Sequence, residues 1–478
     1  MSRHHILLII AMLSACFALS ALAEDSPADA TVEIGPTDTG DWHVSYSFAE
    51  PQTALAFARS RNDYRSATWT LETDDAQFGR AFDFDVIVFD KPTKQVSFSI
   101  IPLTSALEAD YTPFVTFSDG GLAIFEGQFS LVPFEDLDAI KALEGDLTNT
   151  EAGPLSMDVK VASDQPIIVD GAVHEGSLTH RAKNGGTYIY MGNSEVETFD
   201  SFAVVLDQGL PDWLQARFDS DLGKIFSALE TQWGFELEDK ATVLLAFKGT
   251  SGEGFSASGG ALDQLLMMEV GGSAFAEASF NSLSYLQWFF AHEAVHLFQT
   301  AEGAEFAGDS DAWIHEGAAN TMAYAIIAAQ LGEEDRQKFL SAVYANSFDE
   351  CVAALEGGPL NTVSERDLFS ANYACGDLIA QATDGFLKRK TLFEFWNRLI
   401  QNAVSLDQPR INETLYFTTM QLFGSTRAQR DKIRTIVEDE LDDPAAALTD
   451  LLESAGLEPE FDGKGNLVKM NWPVYAAE

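Results

Sequence analysis

Two histidines four residues apart, His292 and His296, stand inside the run Trp288-Phe289-Phe290-Ala291-His292-Glu293-Ala294-Val295-His296-Leu297-Phe298, which holds neither proline nor glycine. Such a run reads as a helix, and residues four apart on a helix lie on one face, about one turn from each other. The two imidazoles are therefore neighbours, with the Glu293 carboxylate beside them. Two readings follow. Either the helix carries two partly exposed histidines of no special role, or the imidazoles share one divalent cation.

The order H-E-x-x-H suits the second reading. Zn²⁺ takes imidazole nitrogens readily, and a carboxylate directly after the first histidine can reach a water beside the metal without ligating the ion itself. An open zinc site needs a third protein ligand. The next segment, Trp313-Ile314-His315-Glu316-Gly317-Ala318-Ala319-Asn320, supplies Glu316 at 20 positions beyond His296. That gap lets one helix end, a loop turn and a second helix pass the first. Other third ligands fit less well. Gln299 stands where a metzincin would need glycine, His315 next to Glu316 is expected to face another way, and Asp309 and Asp311 read as helix caps. Asn320 lies four residues after Glu316 on the same face. It reads either as a partner orienting a histidine ligand or as an ordinary polar helix residue.

These two motifs together resemble the gluzincin metallopeptidases, the clan of the thermolysin-like enzymes and the aminopeptidase N family; the fit rests on His292, Glu293, His296, Trp313, Glu316, Gly317 and Ala319. The resemblance implies that Glu316 is the third ligand, that one Zn²⁺ is bound per chain, and that the substrates are peptides or proteins. Glu293 is then the general base that deprotonates the attacking water. In the aminopeptidase N family a Y-x-x-G tyrosine donates to the oxyanion, and Tyr373-Ala374-Cys375-Gly376 makes Tyr373 the candidate here, beside the reading of a packed core tyrosine. The family's G-x-M-E-N motif, whose glutamate binds a substrate's free amine, has a partial counterpart in Gly260-Ala261-Leu262-Asp263-Gln264. Asp263 is the weak candidate there. Its departure from the motif leaves exopeptidase and endopeptidase action both open, and a turn leading into a strand is the competing role. Two other functions stay open: a non-catalytic envelope protein that keeps the fold as a binding scaffold, and a hydrolase of non-peptide amides or esters.

The rest of the chain divides by periodicity. Residues 24–205 read as a β-rich domain resembling an antiparallel sandwich. Phe82-Asp83-Phe84-Asp85-Val86 and Val96-Ser97-Phe98-Ser99-Ile100 alternate apolar and polar, and Asp119-Gly120-Gly121 separates two strands as a hairpin would. From Pro211, Phe218, Leu222, Ile225, Phe226, Leu229 and Trp233 recur at helical spacing, closed by Gly234. Strands follow at 241–247 and 265–270, separated by a glycine-rich stretch from Gly249 to Gly260 that reads as a loop. The expected fold is α+β: the β-rich domain, a thermolysin-like zincin core over 206–345, and a helical C-terminal part over 346–478.

Residues 1–23 read as a secretory signal peptide, with an apolar run from Ile6 to Leu19 and Ala21-Leu22-Ala23 as the cleavage site. This implies a periplasmic or secreted protein. Two alternatives compete, an uncleaved anchor and a lipoprotein attached through Cys16 of Leu13-Ser14-Ala15-Cys16. No later stretch is long and apolar enough to span a bilayer. Cys351 and Cys375 are either a disulfide, as an oxidising compartment allows, or two buried thiols. With 29 Lys and Arg against 74 Asp and Glu, the net charge of −45 excludes nucleic acid as a partner. Composition leaves the oligomeric state open.

Overall fold

The computed structural model describes residues 26–37, 41–60, 62–107, 110–150, 152–183, 185–238, 240–387, 390–406 and 409–471. The expected leader, with Cys16 and Ala23, lies outside the described residues. The chain forms two compact units, one of residues up to Thr116 together with Gly121–Asn193, the other of Phe117–Gly120 and Ser194 onward.

The first unit is one sheet of 11 strands. Its strands are β1 (Ala30–Pro36), β2 (Trp42–Phe57), β3 (Trp69–Leu71), β4 (Ala76–Ala81), β5 (Phe84–Ile100), β6 (Phe114–Thr116), β7 (Leu122–Phe125), β8 (Leu131–Phe134), β9 (Met157–Val169), β10 (Ala172–Arg181) and β11 (Tyr188–Met191). The main order is β3-β5-β2-β1-β9-β11-β7-β6. Neighbours run antiparallel except β1 and β9, which are parallel. Alternation drives the pairing: Val44, Tyr46 and Phe48 of β2 are buried on one face against Val96 and Phe98 of β5. The alternation read over Phe82–Val86 is not followed in burial, because Phe84, Asp85, Val86 and Ile87 are all buried. Phe82 is 59% exposed and, at φ 51°, forms the turn between β4 and β5. Arg65 is wholly buried in this unit, its two terminal nitrogens bonded to Asp85 Oδ2 at 2.8 Å and to Gln128 O at 2.7 Å while Nε is left without an acceptor.

The second unit begins before the expected boundary at 205/206. Its five-stranded sheet runs β12 (Val196–Thr198), β13 (Phe202–Leu206), β14 (Ala241–Phe247), β16 (Leu265–Gly271), β15 (Ser256–Leu262). The pairing of β12 and β13 with β14 is what draws residues 194–205 into this unit. The β13–β14–β16 core is parallel and its two flanking strands antiparallel. Strand β14 is buried along nearly its whole length, as a covered parallel strand requires. Helix α1 (Asp212–Trp233) starts after Pro211 and ends on Gly234 at φ 77°, and buries Leu222, Ile225, Phe226, Leu229 and Trp233.

The glycine-rich stretch differs from its expected loop. Its second half is β15, registered from Ser256 opposite Gly271 to Leu262 opposite Leu265. Small residues gave this segment no strand propensity; pairing with β16 imposes the conformation. Gly259 is required there, because a Cβ would stand 2.0 Å from the Met267 carbonyl oxygen.

Helices α2 (Phe280–Gln299), α3 (Ala312–Gln330), α4 (Glu333–Leu355) and α5 (Ala371–Phe386) carry the motifs. Helices α3 and α5 meet backbone to backbone. A Cβ on Gly317 would lie 1.9 Å from the Gly376 carbonyl carbon, and one on Gly376 would lie 2.3 Å from the Trp313 oxygen. A bond between Cys351 and Cys375 ties α4 to α5. Beside that junction Asp377 is fully buried. Its carboxylate accepts from Thr321 Oγ1 at 2.6 Å, Gln381 Nε2 at 2.8 Å and Ser347 Oγ at 2.9 Å, with Tyr324 and Tyr344 nearby. Burial pushes it up from 3.8 to about 6, against those three bonds.

A raised carboxyl favours the fold while protonated, so this contribution is complete below pH 4 and is lost as pH rises through about 6. Two pH units correspond to about 3 kcal/mol at most. Asp377→Asn is therefore expected to gain stability relative to wild type between pH 4 and pH 7.5. Urea unfolding of both proteins at the two pH values reads the difference, and a constant offset would remove Asp377 as its source.

Candidate metal centre

Helix α2 is held at its start by Ser279, whose hydroxyl accepts from the Ser282 amide. Three turns on it carries His292, Glu293 and His296, all buried. Helix α3 brings Glu316 across them. His292 Nε2 lies 3.1 Å from Glu316 Oε2, His296 Nε2 lies 3.3 Å from the same oxygen, and the two Nε2 atoms are 3.2 Å apart. A four-coordinate ion with ligand distances of about 2.0–2.2 Å needs donor separations of about 3.3–3.6 Å. The observed triangle is close to that size, and no other group of this kind occurs among the described residues.

The tautomers agree with this. Asn320 Oδ1 accepts from Trp288 Nε1 at 2.8 Å, a nitrogen that can only donate, so the same oxygen, 2.9 Å from His292 Nδ1, accepts there too. Gln299 Nε2 donates to the His315 carbonyl at 3.1 Å, which turns Gln299 Oε1 toward His296 Nδ1 at 2.7 Å. Each ring thus keeps its proton on Nδ1 and turns a bare Nε2 inward. With both Nε2 atoms unprotonated, two nitrogen lone pairs and a carboxylate converge, an arrangement that calls for a positive charge at its centre, a metal ion or a proton. The field shows the same demand. Burial alone would lower His296, yet Glu316 and Glu293 lift it to about 9. Burial would likewise raise Glu316, but the surrounding His296, His292 and His315 hold it well below the usual carboxylate range. The residues fit a zinc ion.

Glu293 stays outside the triangle. Burial pushes its carboxyl up, opposed by the two imidazoles and by a hydrogen bond from the Ala261 amide. Ala261 belongs to β15, the edge of the sheet, so the base and the edge strand are in contact. Tyr373, on α5, stacks its ring on His292 with centroids 5.4 Å apart, and its carbonyl accepts from Asn320 Nδ2 at 3.3 Å. Asp263 sits exposed in the two-residue turn between β15 and β16, beside Gln264 at φ 56°.

Three features escaped sequence reasoning. Gln299, used only to exclude a metzincin, is buried and bonded to His296; its spacing of three from His296 was the available signal. Trp288 is the second partner of Asn320. His315 does not face away: its Nε2 lies 3.5 Å from Glu316 Oε1, and its ring stacks on Phe306 at 4.0 Å. Phe306 reaches it from the short strand β17 (Glu305–Phe306), paired with β18 (Arg410–Ile411). Asp311 occupies the N-cap position of α3 without a side-chain capping bond, and accepts from the Glu413 amide instead.

Most of the chain shares its fold with solved metallopeptidases. An aminopeptidase N family protein from Idiomarina loihiensis superposes with a TM-score of 0.61 at 13% identity, over 89% of this chain and 78% of that one. Native yeast LTA4 hydrolase matches at 0.51 and 12% identity, over 87% and 68%. A mutant of the M1 zinc metallopeptidase from Deinococcus radiodurans matches at 0.50 and 16%, over 86% and 94%. No protein-family profile matches the sequence, and no curated protein does. The fold is the α+β fold of the aminopeptidase N-type gluzincins. No helix among the described residues is long and apolar enough to cross a membrane.

Proposed function

We propose that this protein is an exported zinc peptidase that hydrolyses peptide bonds with Glu293 as general base. The observation that carries the reading is the convergence of His292 Nε2, His296 Nε2 and Glu316 Oε2, with both Nδ1 protons committed to buried amides. His292, His296 and Glu316 would hold one Zn²⁺ per chain. When bound, the ion polarises the scissile carbonyl and acidifies water.

The remaining steps belong to the chain's own groups. Glu293 takes the proton of the attacking water and passes it to the leaving amine nitrogen. Tyr373, packed on His292, supplies a hydroxyl donor for the oxyanion. Asn320 and Gln299 keep the imidazoles turned inward, as outer partners of ligands do. The edge strand β15 offers backbone groups along which a peptide can lie. A scaffold role has less support, because a pure scaffold has no use for a buried base beside the ligands.

Elemental analysis of purified wild type is expected to find about one zinc per chain, lost together with peptide cleavage in His296→Ala. Absence of zinc from both proteins after reconstitution would overturn the reading.

A further inference from the structure

The face of α2 that carries the two histidines does not end at His292. Toward the helix start it continues through Trp288 and Tyr285, at the spacing that keeps residues on one side of a helix. Both are half-buried. The Trp288 ring lies 5.9 Å from His292, Tyr285 lies 5.4 Å from Trp288, and Phe255 stacks on Tyr285 at 4.6 Å. Phe255 directly precedes β15 and is 37% exposed. The result is an aromatic wall that begins at a histidine of the metal centre and ends in solvent. The other flank repeats the pattern, with Tyr373 on His292 and Phe369, 40% exposed, at 6.0 Å from Tyr373.

Exposed aromatic surface is costly to leave in water and gains when an apolar group covers it. The wall itself carries no charge: burial pushes the Tyr285 hydroxyl up, so it stays neutral, and the Trp288 nitrogen is already bonded to Asn320. A carboxylate brought against these rings would lose hydration without a partner.

We propose that the site selects peptides with a large apolar or aromatic side chain beside the cleaved bond, seated on the wall formed by Phe255, Tyr285 and Trp288. This rests on the peptidase reading, and the experiment separates the two. Zinc-loaded Glu293→Gln protein is titrated calorimetrically with alanine hexapeptides carrying one central Phe, Leu or Asp. Phe and Leu peptides are expected to bind about 10- to 100-fold tighter than the all-alanine and Asp peptides. Adding Phe255→Ala, or separately Tyr285→Ala, is expected to remove most of that ratio. Equal affinity across the panel, or a ratio untouched by both substitutions, overturns the wall. Cleavage of the same panel by zinc-loaded wild type reads the activity independently. The same ranking in kcat/KM supports both proposals. Ranked binding without any cleavage supports the wall and sinks the peptidase reading, whereas cleavage without ranking does the reverse.

Discussion

Zinc-loaded Glu293→Gln protein is expected to keep its metal and lose about 10²- to 10⁴-fold in kcat, the range that a general base contributes. The substitution preserves shape, and the amide oxygen of glutamine can still accept from the Ala261 amide. What it removes is the capacity to take a proton. Metal content should not change, because Glu293 is not among the three groups whose donor atoms converge. Measuring zinc by elemental analysis beside steady-state kinetics separates this from a damaged site: loss of both would make Glu293 a structural or ligating residue, and an unchanged kcat would remove it from the mechanism.

Gly317→Ala is expected to destabilise the protein by about 3 kcal/mol or more and to lower its melting temperature by roughly 5 °C or more. The new Cβ would stand 1.9 Å from the Gly376 carbonyl carbon, a backbone atom that no rotamer change can move. Helices α3 and α5 would have to separate. Since α3 carries Glu316 and α5 carries Tyr373, zinc retention should weaken as well. The sign is informative, because alanine for glycine inside a helix otherwise stabilises by about 1 kcal/mol. Gly223→Ala is the control, since Gly223 lies inside α1 with nothing within 4 Å of its Cβ. Equal melting temperatures for wild type and Gly317→Ala would mean that the two helices do not touch at this pair.

That contact explains two glycines which the sequence presented only as letters of a motif. Gly317 follows Glu316, and Gly376 ends Tyr373-Ala374-Cys375-Gly376. Each lacks a side chain because the other's backbone occupies the space. A resemblance can point to such glycines. It does not say which chain segment requires them, since the two stand 59 positions apart in the sequence (376 − 317).

The histidine helix α2 was legible for a local reason. Four-residue spacing puts His292 and His296 together in any α-helix, and an apolar run without helix breakers secures that helix. The apolar periodicity of α1, capped by Pro211 and Gly234, was legible on the same ground. Strand β15 was not. Its Ser-Ala-Ser-Gly-Gly composition carries no strand signal, and only the register with β16 makes it an edge beside Glu293.

By itself, then, the sequence determined what a helix period can determine: which side chains share a face of α2, and that a carboxylate follows the first imidazole. The tertiary structure decided what depends on separate elements meeting. It brought Glu316 Oε2 to within 3.1–3.3 Å of both Nε2 atoms, turned His315 back toward Glu316 by stacking it on Phe306, and fixed both imidazole protons through Asn320 and Gln299. Side-chain direction across a loop follows from the packing of one helix on another, and no local spacing encodes it.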